Sequence, residues 1–80
     1  MSDDEADRFI AALRSGKRFA TRFQEQEWSL DALADGTFRK WSHRADIDGD
    51  EQSEEIVTEA MLKADLVRWY DYETMSVRLR

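Results

Sequence analysis

Up to Gly16 the apolar residues recur every three to four positions, and from Lys17 onward they alternate. That change of period constrains the fold more than any other feature of the chain. Ala6, Phe9, Ile10 and Leu13 mark one stripe of a helix, because side chains three and four apart share a helical face. Ser2-Asp3-Asp4-Glu5 forms a capping box, in which hydroxyl and carboxylate satisfy two orphan amides reciprocally. Asp3, Asp4 and Glu5 also suit the positive end of the helix dipole, and Gly16 supplies the stop. The spacing predicts a helix over about 3–15.

The alternating part is punctuated by turns. Asp35-Gly36 stands between two alternating runs, and a two-residue type I′ turn there needs positive φ at both central residues. Such a turn opposes Leu30 to Trp41, Trp28 to His43 and Asp31 to Lys40. A turn at Glu25-Gln26 opposes Phe23 to Trp28, Thr21 to Leu30 and Phe19 to Ala32. Both registers put Phe19, Phe23, Trp28, Leu30, Ala32 and Trp41 on one inward face, which predicts a three-stranded meander.

A second helical stripe follows in Ile56, Val57, Ala60, Met61 and Ala64, with Glu54, Glu55, Glu59 and Lys63 off it. Beyond Asp65, Val67 and Trp69 alternate with Arg68 and Tyr70, which reads as a strand. A turn at Tyr72–Thr74 returns Val77 and Leu79 to the same face. The expected layout is α-β-β-β-α-β-β, an α+β fold whose antiparallel sheet carries two helices on one face. With 80 residues and no internal repeat, the chain reads as one compact domain, 1–80.

Cysteine is absent, which excludes a disulfide framework and a thiolate metal site and fits a reducing compartment. The 41% of hydrophobic residues, three Trp and four Phe among them, argue for a packed core. No apolar run approaches the roughly 20 residues that span a bilayer, and the acidic start MSDDEADRF is the opposite of a signal peptide's. A cytoplasmic location is the expectation.

The net charge of −6 is unevenly distributed. Residues 45–62 hold Asp46, Asp48, Asp50, Glu51, Glu54, Glu55 and Glu59 with no base, whereas Arg8, Arg14, Lys17, Arg18 and Arg22 occupy 8–24 with no acid. The acidic run opens as DIDGD, like a calcium loop. From Asp46, positions 1, 3 and 5 are carboxylates, but position 6 is Glu51 in place of Gly, and position 12 is Val57 in place of a bidentate Glu. The likeness stops after five residues, and the stretch reads as a solvated acidic loop. No metal or other cofactor is implied.

No constellation for catalysis emerges either. His43 is the only histidine, and its neighbour Ser42 points to the opposite face of a strand, so the two do not make a nucleophile–base pair. The plentiful carboxylates lack an apolar cleft that would raise a pKa. RFATRF and FRKW interleave bases with aromatics as single-strand binders do, but alternation accounts for both runs, and the overall charge opposes a polyanion. Tyr70 and Tyr72 fall on one side of the expected strand and Trp69 on the other, so one aromatic side suits a protein interface.

In its 80-residue size, acidity, lack of cysteine and the segment ADIDGDEQSEEIVTE, the chain resembles small phage-encoded inhibitors of the anti-CRISPR type. The resemblance is one of organisation and carries no residue roles. It implies a partner with a basic, nucleic-acid-binding groove; the basic stretch Arg14–Arg22 departs from a pure DNA mimic. The expected function is therefore that of a non-enzymatic inhibitor, with Asp46, Asp48, Asp50, Glu51, Glu54, Glu55, Glu59, Tyr70 and Tyr72 as its partner-binding set. Two alternatives stand beside it: a small nucleic-acid-associated domain using Arg14, Arg18, Arg22, Arg39 and Lys40, and a toxin–antitoxin-type partner protein.

Overall fold

The computed structural model describes residues 1–46 and 49–80. Its elements are α1 (Asp3–Arg14), β1 (Phe19–Phe23), β2 (Gln26–Ala32), β3 (Phe38–Asp46), β4 (Gly49–Val57), α2 (Glu59–Trp69) and α3 (Tyr72–Ser76). The strands form one antiparallel sheet in the order β1-β2-β3-β4. The α+β class with helices on one side of an antiparallel sheet is as expected. The capping box at Ser2 and Glu5 is formed, with Glu5 N–H donating to Ser2 Oγ at 3.1 Å and Ser2 N–H to Glu5 Oε1 at 2.8 Å.

The order of elements in the second half differs from the expected α-β-β-β-α-β-β. Gly49–Val57 is the fourth strand, the segment read as a strand from Val67 is the end of α2, and Tyr72–Thr74, read as a turn, opens α3; of the last expected strand only a single bridge from Leu79 to Phe19 forms. Local capping explains the change. Thr58 Oγ1 accepts from Met61 N–H at 3.2 Å and starts α2; Asp71 Oδ2 accepts from Thr74 N–H at 3.0 Å and starts α3. The buried stripe of α2 is Leu62 and Leu66, so Ile56 and Val57 belong to the preceding strand. Among the described residues there are three helices where two were expected.

The hairpin registers also differ, by amounts with opposite consequences. Between β1 and β2, Phe19 faces Leu30, Thr21 faces Trp28 and Phe23 faces Gln26, a slip of two from the expected pairing. Side chains alternate with period two, so that slip leaves every face unchanged. Between β2 and β3, Leu30 faces Lys40, Trp28 faces Ser42 and Asp31 faces Arg39, a slip of one. The loop holds Ala34, Asp35 and Gly36: Leu33 N–H donates to Thr37 O at 2.9 Å, Gly36 N–H to Leu33 O at 3.2 Å, and Gly36 has φ +89. Asp35 keeps negative φ, so the turn is the three-residue kind that needs a single positive φ. The slip of one moves Trp41 to the side of the sheet away from the helices and brings Phe38 inward.

Against the helices lie Phe19, Leu30, Phe38 and Val57, packed on Ala6, Phe9, Ile10 and Leu13 of α1, Leu62 and Leu66 of α2, and Met75 of α3. Fully burying a Phe or Leu side chain stabilises the fold by about 1.5–3 kcal/mol each. Phe9 meets Phe19 edge to face at 5.8 Å, and Phe19 meets Trp28 at 4.8 Å. Phe23, expected inside, lies at the end of β1 beyond the helices and is 75% exposed. Within 42–45 and 49–53 no residue is buried, so these ends of β3 and β4 extend past the core.

Candidate functional site

β4 is an edge strand, hydrogen-bonded only to β3. Its residues from Gly49 to Ile56 are all exposed, and Asp50, Glu51, Glu54 and Glu55 lie among them. Alternation divides these carboxylates between two faces. Glu51 and Glu55 lie on the helix side, opposite Arg44 and Lys40; Asp50 and Glu54 lie on the open side, opposite Ala45 and Trp41. The edge is thus a blade with carboxylates on both flanks. Glu54 is 3.2 Å from Arg39 Nε, a charge contact without hydrogen-bond alignment. No cation within 4 Å engages Glu51 or Glu55 among the described residues. Charged edges also deter sheet-to-sheet aggregation, which accounts for part of this composition.

The rest of the expected partner-binding set is dispersed. Asp46 faces Gly49 at the end of the ladder; its side chain, like the whole of Asp48, is outside the described residues. Glu59 belongs to α2 and is held by Arg14, whose Nη2 and Nε donate to Glu59 Oε1 at 2.9 and 3.1 Å. Tyr70 caps the C-terminal end of α2, half-buried, with its ring 5.4 Å from Trp28. Tyr72 opens α3 beneath the Arg8 guanidinium, 4.9 Å from its centroid. Tyr70 and Glu55 nevertheless share a groove of about 320 Å³ under the projecting hairpin, lined also by Gln26, Trp28, Lys40 and Ser42. Lys40 Nζ stands 5.8 Å over the Trp28 ring there.

The open side of the sheet holds the groups that sequence reasoning placed elsewhere or passed over. Trp41 stacks on His43 at 6.0 Å, and the imidazole bridges three strands, with Nδ1 3.2 Å from Glu27 Oε1 and Nε2 3.7 Å from Asp50 Oδ1. Ser42 lies on the other face, with its Oγ 2.8 Å from Ser53 Oγ, so serine and histidine are separated by the sheet. Of the basic set, Arg18, Arg22 and Arg39 share the open side, Lys40 faces the helices, and Arg14 lies over the Phe38 ring at 4.7 Å. Trp69 is the most exposed of the aromatics near the tyrosines, at 67%, because it ends α2 beyond the core. The strand reading of 67–70 hid this; a helix reading of the same residues places Leu62 and Leu66 inward and leaves Trp69 at the end.

Four groups have pKa values displaced by their hydrogen bonds. Ser2 backbone and hydroxyl hold Glu5 below its usual value, Thr37 hydroxyl and backbone lower Asp35, and Thr74 backbone and hydroxyl lower Asp71. Lys63 is raised by Asp7, 2.9 Å away. All four serve caps, turns or a helix–helix contact and lie away from the β4 edge. Among the described residues no three His, Cys, Asp or Glu side chains gather as a metal site, and no helix is long and apolar enough to cross a membrane.

Compared with known proteins, the chain matches no family model, no curated protein and no solved structure.

Proposed function

We propose that this chain is a non-enzymatic binding protein whose acidic β4 edge docks on a basic, nucleic-acid-binding surface of a partner protein complex and blocks access to it. One observation carries the reading: a nine-residue edge strand presents Asp50, Glu51, Glu54 and Glu55 to solvent along its length. At the rise of a strand Asp50 to Glu55 spans about 17 Å, so the four charges follow one another at a mean of about 5–6 Å along the edge, sparser than the roughly 3.4 Å on one strand of B-DNA. A strand edge holds this row of charges on a rigid backbone, so little ordering entropy is lost on docking. The partner class is a complex that holds nucleic acid in a cationic groove, of the CRISPR-effector type that the organisation of the chain resembles, and a cytoplasmic setting goes with it.

The groove between Glu55 and Tyr70 gives the same surface an aromatic wall, which suits an interface anchor. The competing reading, direct nucleic-acid binding through Arg14, Arg18, Arg22, Arg39 and Lys40, asks for five bases on one surface; Arg14 and Lys40 lie off the face shared by the others.

A pull-down from lysate of the source cell, eluted with a salt gradient, tests the proposal. Recovery of a nucleic-acid-binding complex that elutes with salt, and is lost when Asp50, Glu51, Glu54 and Glu55 are replaced by Lys, supports it. Recovery of nucleic acid alone, abolished by Arg18→Glu with Arg22→Glu, overturns it in favour of the basic face.

A further inference from the structure

The chain's last residues build a second, oppositely charged edge. Arg18 N–H donates to Arg80 O at 2.9 Å and Arg80 N–H to Arg18 O at 2.9 Å, while Phe19 bridges Leu79. In this antiparallel pairing Arg80 stands opposite Arg18 and Arg78 opposite Ala20, so all four side chains belong to the open side of the sheet. They line a depression of about 310 Å³ formed by Arg18, Ala20, Arg78 and Arg80.

Each of these guanidinium groups is held by a neutral acceptor. Arg78 Nη1 donates to Thr74 O at 2.8 Å, Arg80 Nη1 to Val77 O at 2.9 Å, and Arg18 Nη2 to Ser29 Oγ at 3.0 Å. Among the described residues none of the three is within 4 Å of a carboxylate. A guanidinium carries five N–H donors, so each remains charged, oriented and largely undercommitted. Of the side-chain carboxylates on this side, Asp31 stands opposite Arg18 in the strand order, and Glu27, which His43 engages, lines the adjoining groove. Arg22 adds a further positive charge.

The depression runs on into a groove of about 270 Å³ that shares Arg18 and Ala20 and ends at Trp41, with Ser29 in its floor. Ala20, Ser29 and Trp41 are neighbours across three strands; Ser29 is buried beneath its neighbours, and Ala20 is the small exposed residue between the arginines and the indole.

We propose that this face is a binding site for a small phosphate monoester carrying a flat ring, in the manner of a mononucleotide. Arg18, Arg78 and Arg80 take the phosphate, and the ring lies over Ala20 towards Trp41. Planar guanidinium groups match phosphate oxygens two by two. The β4 carboxylates stand three strands from β1, about 14 Å, beyond the Debye length of about 8 Å at physiological salt, so they do not repel one phosphate group; a long polyanion would meet them. The site is separate from the proposed β4 docking edge, and either can fail without the other.

Calorimetric titration with adenosine 5′-monophosphate, adenosine, inorganic phosphate and a ten-residue oligothymidylate tests this. The expected result is saturable binding of the monophosphate that exceeds both adenosine and phosphate, and that weakens about tenfold on each of Arg78→Gln and Arg80→Gln, as for a lost charge-assisted hydrogen bond. Both substitutions leave the backbone pairing and the core intact, which amide NMR spectra verify. Trp41→Leu should reduce monophosphate affinity towards that of inorganic phosphate. The proposal is overturned if the monophosphate does not saturate, if the arginine variants bind it unchanged, or if only the oligonucleotide binds.

Discussion

Ser29 and Trp41 face each other across β2 and β3 on the side of the sheet that no helix covers. Ser29 is the one buried polar residue among those described, and its hydroxyl accepts from Arg18 at 3.0 Å. Trp41 therefore roofs part of a polar surface and leaves the core to Phe38. Replacing Trp41 by Ala should cost clearly less than replacing Phe38 or Phe19, for which a buried aromatic truncated to Ala loses about 3–5 kcal/mol. Urea denaturation of the three variants decides this. Equal costs would mean that Trp41 is buried against the helices.

Phe23 gives the complementary case. It continues the apolar alternation of β1, yet it is 75% exposed. Phe23→Ser should change stability by no more than about 0.5 kcal/mol, as for an ordinary surface site, and should improve solubility.

Gly36 is required by conformation alone. Its φ is +89, and a Cβ built there meets nothing within 4 Å. Gly36→Ala should therefore cost about 1–2 kcal/mol, the penalty for a side chain in the left-handed region, with an unchanged denaturant slope. A much larger loss would point to a steric clash that the surroundings of Gly36 do not contain.

Arg14 and Glu59 join α1 to the start of α2, with both side chains partly exposed. An ion pair of that kind stabilises by less than about 1 kcal/mol, so Glu59→Gln should leave the fold nearly unchanged. Because Glu59 is engaged away from β4, Glu59→Lys should keep partner affinity within about twofold, whereas Glu54→Lys with Glu55→Lys should lower it tenfold or more by reversing close charges. Surface plasmon resonance with the recovered partner separates the two pairs.

Acid stability should reflect Asp35 and Asp71. Their folded pKa values lie below the ordinary 3.8 because Thr37 and Thr74 hydrogen-bond to the ionised carboxylates. The stabilisation is thus fully present above the unfolded value and is lost as pH falls through the lowered folded values. Asp35→Asn and Asp71→Asn should flatten the loss of thermal stability below about pH 4. A variant with an unaltered acid limb would show that these hydrogen bonds persist in the unfolded chain.

Much of the first half was legible because its signals are local. The capping box, the stripe from Ala6 to Leu13 and Gly16 each act within a few residues and define α1. The alternation from Phe19 to Trp41 defines strands, since no distant contact is needed to set a period of two. The acidic character of 46–55 was equally plain, and with it four of the residues proposed to bind a partner.

What local patterns did not decide was geometry that depends on a partner segment. A three-residue loop in place of a two-residue one turned Trp41 outward and Phe38 inward, and that choice rests on φ at one aspartate and the ladder beyond it. The caps at Thr58 and Asp71 outcompeted an apparent alternation from Val67 to Tyr70 and an expected turn at Tyr72–Thr74, because Leu62, Leu66 and Met75 gain burial only against the sheet and α1. The charge separation between an acidic β4 edge and the arginines at the opposite edge exists only once Arg78 and Arg80, sixty positions from Arg18 in the chain, are laid beside it. By itself, the sequence determined which residues are helical near the start, which alternate, and where the acids cluster, since those follow from nearest-neighbour sterics and composition. Tertiary structure decided which face each side chain takes and which charges meet, because register and long-range pairing are won by the burial of the whole core.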